Sequence, residues 1–240
     1  MHHSELARRR IETKYLVPPD RLYDLAARLP SADVDVYPLT TVYLDRKDGG
    51  LSRRVLETPT DCVKLRVRRY RRDDPHVWVE VKTRARAWVE KQRFAVASDR
   101  WPRILSGDPD EGLLVRPCAC LPCVAEAKLS FHRFRRLASE GVVTIGLVQG
   151  RRQTFRFGEL PLRITLDLDL RYYRAPASRF ALDPAGPAIY EESRAILEVK
   201  RSGLPTEWVA DVLAGLDARP YSKFRTLLAA SPSTDRRLSA

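Results

Sequence analysis

Basic residues recur at every second position along several short segments of this 240-residue chain, and no other feature narrows the fold as much. Successive side chains on a strand point to opposite faces. Lys64, Arg66 and Arg68 therefore share one face, with Leu65 and Val67 on the other. In the same way Glu80, Lys82 and Arg84 oppose Val77, Val79 and Val81, and Lys91 and Arg93 oppose Phe94 and Val96. Arg163, Thr165, Asp167 and Asp169 oppose a run of Ile164, Leu166, Leu168 and Leu170, and Glu198 and Lys200 oppose Leu197 and Val199. This period predicts strands over 40–45, 63–70, 77–83, 91–97, 142–148, 162–170 and 196–200. Each would have one wet and one dry face, which suits an antiparallel sheet or closed barrel with a few helices outside, an α+β class.

Helical signals are fewer. Pro18-Pro19-Asp20 opens a helix that ends near Pro30, and Thr206 caps a second through Trp208, Val209, Val212, Leu213 and Leu216. A third short helix is expected over 222–228, and another over 100–105 with Pro102 in its first turn. The segment 107–122 carries Pro109, Gly112, Pro117 and Pro122 and reads as an irregular excursion. One domain over residues 1–230 is expected, followed by a polar tail at 231–240.

Like charges two apart on one strand face repel. A solvated face would mix signs or use Thr, Ser and Gln, whereas a bound anion removes the repulsion and Arg matches phosphate oxygens with a planar fork. Lys and Arg number 43 against 31 Asp and Glu, a formal +12, which fits an anionic partner. Glu80, Asp167 and Glu198 would hold the basic residues in place or bind a divalent cation through oxygen. The chain has no Walker-type or dinucleotide glycine loop, and its histidines at 2, 3, 76 and 132 have no metal-ligand spacing. Aromatics do not interleave with the basic residues as in single-strand nucleic acid binders, so nucleic acid is disfavoured. The run Arg133-Phe134-Arg135-Arg136 reads as a solvated face.

Cys118, Cys120 and Cys123 are bunched and Cys62 stands apart. Free thiols are the leading reading, with a zinc site completed by Cys62 or His132 and a disulfide as alternatives, because C-x-C-x-x-C lacks the usual paired arrangement. No stretch approaches the ~20 apolar residues of a membrane span and Met1-His2-His3-Ser4-Glu5 lacks an apolar signal core, so a cytoplasmic location is expected.

Nine short motifs in order resemble the VTC domain, a polyphosphate polymerase branch of the triphosphate tunnel metalloenzymes (the CYTH-like superfamily). They are Arg8-x-Arg10-x-Glu12-x-Lys14-Tyr15, Thr41-Val42-Tyr43-Leu44-Asp45, Lys64-Leu65-Arg66-Val67-Arg68-Arg69-Tyr70, Glu80-Val81-Lys82 and Lys91-x-Arg93-Phe94. Arg152-Gln153-Thr154-Phe155, Arg163-Ile164-Thr165-Leu166-Asp167, Leu197-Glu198-Val199-Lys200 and Tyr221-Ser222-Lys223-Phe224 complete the set. Departures are Gln149-Gly150-Arg151 where the family carries a Tyr, and Pro220 where relatives can carry a basic residue.

The resemblance implies a closed antiparallel β-barrel, the triphosphate tunnel, with flanking helices and a C-terminal helix near one opening. It implies transfer of the γ-phosphoryl group of ATP to a growing inorganic polyphosphate chain, with Mn²⁺ or Mg²⁺. Lys14, Arg66, Arg68, Lys82, Arg152, Arg163, Lys200 and Lys223 would act on the phosphates, assisted by Lys64, Lys91, Arg93, Arg10 and Ser222. Glu198 is the first expected metal ligand and Glu80 the second. ATP, polyphosphate, pyrophosphate or triphosphate are the expected partners, and a membrane partner is left open. The same lining would serve a triphosphatase or polyphosphatase of this class, or a module that binds polyphosphate or inositol phosphates without turnover.

Overall fold

A computed structural model describes residues 11–29, 32–86, 88–106, 109–115, 121–158, 160–175, 181–202 and 207–231. The strands are β1 (Ile11–Val17), β2 (Asp33–Arg46), β3 (Asp61–Arg69), β4 (His76–Ala85), β5 (Trp88–Ala97), β6 (Leu114–Val115), β7 (Val142–Arg156), β8 (Leu162–Arg174), β9 (Tyr190–Glu192) and β10 (Ala195–Arg201). The helices are α1 (Leu22–Arg28), α2 (Gly50–Glu57), α3 (Leu121–Leu137), α4 (Glu207–Leu213) and α5 (Lys223–Ala230). All seven strands expected from the alternation are present, several of them longer. The helix expected over 100–105 is a 3₁₀ helix, Trp101–Ser106. Thr206 and the tail beyond residue 231 lie outside the described residues.

The strands follow the order β1-β10-β8-β7-β2-β3-β4-β5-β6, with β9 paired to β8. This corrects the expectation of a closed barrel. The path ends at β1 and β6, and no pairing joins these two strands among the described residues. Two local features explain why it stays open. β6 offers two residues, paired to β5 through Ala95–Val115 and Val96–Leu114, too few for a closing ladder. The outer edge of β1 is taken by an irregular segment, with Tyr15 bridged to Ala218 and Arg219 N–H donating to Lys14 O at 3.0 Å.

The chain divides into two compact units, the first made of residues 1–38, 149–171 and 191–222, the second of 39–148, 172–190 and 223–240. In the second unit the odd positions Val77, Val79 and Val81 of β4 join Leu65 and Val67 of β3 and Phe94 and Val96 of β5 in one apolar layer. α3 covers that layer with Phe131 and Phe134, which meet Phe94 edge-on at ring distances of 5.4 and 5.7 Å. Each buried Phe contributes roughly 2 kcal/mol. In the first unit Val17, Ile164, Leu166, Leu197 and Val199 form the equivalent layer, with Leu25 of α1 and Val209 and Val212 of α4 packed on it. The strand faces left over in both units carry the charges.

α2 begins beyond a left-handed Gly49 (φ 70°) and is capped from a distance. Asp45 accepts from Leu51 N–H and Ser52 N–H, each at 2.9 Å, which satisfies donors that a helix start leaves unpaired. Burial raises the Asp45 pKa, opposed by these hydrogen bonds. β7 approaches β8 closely at two glycines. A Cβ on Gly146 would lie 2.6 Å from Tyr173 O, and one on Gly150 would lie 2.8 Å from Leu168 O.

Candidate functional site

In the second unit the charged face is built by register. β3, β4 and β5 set Lys64 opposite Lys82 and Lys82 opposite Lys91, so one row across three strands is lysine throughout. The neighbouring row is Arg66, Glu80 and Arg93. Glu80 is fully buried and collects several cations: Arg66 Nε at 2.7 Å, Lys91 Nζ at 2.5 Å and Arg68 Nη1 at 3.7 Å. Burial alone would raise the Glu80 pKa, but Arg66, then Arg68 and Lys91, hold it well below the usual carboxylate range. Burial likewise works against the Arg66 charge, and Glu80 more than offsets it. Lys91 moves the other way. Desolvation of its ammonium, with Arg68 and Arg66 adding repulsion, outweighs Glu80 and pushes it down to about 7. Its side chain keeps 37% exposure, so solvent moderates that shift.

One carboxylate does not balance three cations, and the cluster keeps an excess of positive charge. Arg68 is 7% exposed, and its Nε has no hydrogen-bond partner among the described residues. Around this centre, Arg93 stacks over Trp78 at 4.3 Å, a contact the sequence pattern does not reveal. Phe224 of α5 lies against Tyr43 with ring centres 4.9 Å apart, and Lys64 Nζ sits 5.9 Å from the Phe224 ring. Tyr43 is the register partner of Arg66, so α5 packs on the charged face of this unit. Lys223 is the first residue of that helix and Ser222 precedes it.

The first unit carries a second, more balanced cluster. β1 and β10 set Lys14 opposite Glu198 and Glu12 opposite Lys200. Lys200 Nζ lies 3.1 Å from Glu198 Oε1 and 3.8 Å from Glu12 Oε2, while Lys14 Nζ lies 3.5 Å from Glu12 Oε1 and donates to Tyr221 O at 3.0 Å. Glu198 is 7% exposed. Burial would raise its pKa, but the positive charges of Lys200, Lys14 and Arg152 hold it well below the usual range. On β7 and β8, Arg152 and Asp167 form a buried fork, Nε to Oδ1 at 2.6 Å and Nη2 to Oδ2 at 2.8 Å. Burial opposes the Arg152 charge and Asp167 outweighs it. Tyr37 and Thr154 join their hydroxyls at 3.2 Å.

The structure thus gathers Arg66, Arg68 and Lys91 on Glu80, and Lys14 and Lys200 on Glu12 and Glu198. Arg163 is exposed, opposite Lys200 in register. Arg10, Cys118 and Cys120 lie outside the described residues. Cys62 is buried on β3 with its thiol toward Pro59 O at 3.5 Å, and His132 Nε2 pairs with Glu111 at 2.9 Å. Among the described residues no group of three or more His, Cys, Asp and Glu side chains is placed to hold a metal. Arg133 is not a solvated residue. It donates to Thr83 Oγ1 at 2.6 Å and Gln92 Oε1 at 3.0 Å and pairs with Glu90, fastening α3 to β4 and β5.

The family model of the VTC domain matches residues 9–231, which take in both clusters. The chain belongs to the VTC domain family. It shares its fold with a Hippeastrum protein provisionally assigned as an adenylyl cyclase and described as having a dominant triphosphatase activity. That likeness has a TM-score of 0.55 and 16% identity over 92% of this chain and 96% of the other. A Bacillus halodurans protein provisionally assigned as an adenylate cyclase has a TM-score of 0.54 and 14% identity over 90% of this chain and 95% of its own. No match was found among curated proteins. The VTC family is a branch of the triphosphate-tunnel superfamily, whose enzymes act on triphosphate- and polyphosphate-type substrates. No helix among the described residues of this VTC chain is long and apolar enough to cross a membrane.

Proposed function

We propose that the protein is a phosphoryl-transfer enzyme that hydrolyses inorganic triphosphate or longer polyphosphate. The observation that carries this reading is the excess of positive charge around the buried Glu80, where Arg66, Arg68 and Lys91 share one carboxylate and Lys64 and Lys82 continue the row of Lys91. Such a cluster is stable only with mobile counter-ions or a bound polyanion. Phosphoryl transfer needs little beyond positioning and charge neutralisation, which convergent Arg and Lys provide. In the second unit we assign Arg66, Arg68, Lys82 and Lys223 to phosphate oxygens, with Lys64, Lys91 and Arg93 supporting them. In the first unit we assign Lys14, Lys200, Arg152 and Arg163.

A divalent cation, Mn²⁺ or Mg²⁺, fits Glu198 together with Glu12. Both carboxylates face the one Lys200 ammonium, at 3.1 Å from Glu198 and 3.8 Å from Glu12, so a cation placed between them would meet oxygens from two strands. Glu80 fits less well, since it is a single carboxylate facing Arg66, Arg68 and Lys91, whereas Glu198 and Glu12 are two carboxylates facing Lys200 and Lys14. A cation held by Glu198 and Glu12 would act as a Lewis acid on phosphate oxygen.

Water as acceptor follows the triphosphatase activity described for the Hippeastrum protein. ATP-dependent polyphosphate synthesis is the second reading, favoured by the VTC match over residues 9–231. Purified protein incubated with tripolyphosphate or with ATP, each with Mn²⁺ and with Mg²⁺, separates them. Hydrolysis releases orthophosphate and pyrophosphate from tripolyphosphate. A ladder of phosphate chains with ADP would transfer the assignment to the polymerase, and both substrates left intact would leave a binding module. In the active protein Lys14→Ala or Lys200→Ala removes a charge-assisted contact of ~2–4 kcal/mol, a loss of roughly 30- to 1,000-fold in turnover.

A further inference from the structure

Lys14 on β1, Glu198 on β10 and Thr165 on β8 form one row across three strands, since Lys14 pairs with Glu198 and Glu198 with Thr165. The three side chains therefore stand side by side on the charged face of the first unit. Thr165 is 3% exposed, and its Oγ1 has no hydrogen-bond partner among the described residues. A hydroxyl can donate once and accept twice, and leaving it buried and unsatisfied is unfavourable.

The surrounding groups have other engagements. Lys14 donates to Tyr221 O, Glu198 pairs with Lys200, and Asp167 is held in the fork of Arg152. None of these neighbours among the described residues is left to pair with the Thr165 hydroxyl, which suits a ligand from outside the chain. A neutral oxygen beside two carboxylates completes the hard, all-oxygen donor set that Mg²⁺ and Mn²⁺ prefer. We infer that Thr165 Oγ1 is a further ligand of the divalent cation at Glu12 and Glu198. The inference rests on the cation site proposed above and adds a position to it.

The probe is Mn²⁺ alone, without phosphate, titrated into the full chain and followed by the paramagnetic resonance of free Mn²⁺. Wild type binds, Glu198→Gln loses binding, Thr165→Val weakens it roughly 10-fold, and Thr165→Ser, which keeps the oxygen, stays near wild type. Thermal unfolding in EDTA gives the second readout. Deleting an unsatisfied hydroxyl leaves the metal-free Thr165→Val protein at least as stable as wild type, while the Mn²⁺-induced rise in Tm shrinks. Wild-type Mn²⁺ affinity in Thr165→Val, alongside loss in Glu198→Gln, would overturn the inference and leave the cation site standing. A lower Tm of Thr165→Val in EDTA would overturn it as well, by revealing an internal partner. Wild type that binds no Mn²⁺ would remove the cation site and the inference together.

Discussion

Replacing Glu80 with Gln separates two roles for a buried carboxylate, because they give effects of opposite sign. Glu80 is fully buried and Arg66 is 12% exposed, so their 2.7 Å contact is an interior ion pair. Breaking such a pair typically costs ~3–5 kcal/mol, since the remaining charge stays buried and unbalanced. The Gln oxygen can still accept from Arg66 Nε, and Lys91 is partly solvated, which places the loss near the lower end, about 3 kcal/mol. For a chain of this size that lowers Tm by roughly 6–12 °C. Affinity for tripolyphosphate should rise at the same time. A unit charge removed ~10 Å from a bound phosphate, at an effective dielectric constant of ~20, is worth about 1.7 kcal/mol, or roughly tenfold or more in affinity. Thermal unfolding with and without tripolyphosphate, together with calorimetric titration, measures both effects. A Glu80→Gln protein of unchanged stability that binds tripolyphosphate or Mn²⁺ more weakly would refute the counter-ion argument and make Glu80 a ligand.

The pH dependence follows from Lys91, whose pKa is pushed from an ordinary 10.5 down to about 7, first by burial and then by Arg68 and Arg66. The unfolded chain holds that proton more tightly, so the stability this group contributes is present above 10.5 and lost as pH falls through about 7. Tripolyphosphate affinity should run the other way, weakening as pH rises through that window, and calorimetry on Lys91→Gln should show a flatter profile. Asp167→Asn should destabilise the protein by about 3 kcal/mol in urea, because it leaves the buried Arg152 guanidinium without its counter-charge. Arg133→Met should cost about 2 kcal/mol of stability through the lost hydrogen bonds to Thr83 and Gln92, with tripolyphosphate affinity unchanged by titration. Serine at Cys118, Cys120 and Cys123 should leave turnover within roughly threefold, since thiols have no part in electrostatic phosphoryl transfer.

What the sequence made legible was local. Alternation is a property of neighbouring residues, so Val77, Val79 and Val81 could be assigned to the dry face of β4 and Glu80 and Lys82 to the other. Register is not local. The alignment of Lys64, Lys82 and Lys91 in one row depends on two hairpins, and no single segment encodes it. α3 was hidden because Pro122 falls in its first turn and reads as a breaker, while the apolar positions Ala127, Phe131, Phe134 and Ala138 are separated by charged residues. The same residues disguised Arg133, which looked like part of a solvated run until the helix turned it onto Thr83 and Gln92. Closure depends on whether two edges find each other, and here a two-residue β6 and the segment at Ala218 decide against it. The cluster of Glu12, Lys200 and Glu198 joins residues far apart in the chain, and only the pairing of β1 with β10 brings it into view.

The two glycines of β7 set a limit on how this protein can vary. At most crowded interior positions a larger side chain can be rescued by a smaller neighbour. At Gly146 and Gly150 the obstructing atoms include backbone oxygens, Tyr173 O and Leu168 O, which every residue type carries. Changing Tyr173 or Leu168 to alanine would trim a side chain and leave the obstructing oxygen in place. Second-site suppressors of Gly146→Ala or Gly150→Ala should therefore be found only where β8 itself can shift its path. The chain can drift at many core positions in compensated pairs, but these two sites have no partner with which to trade volume.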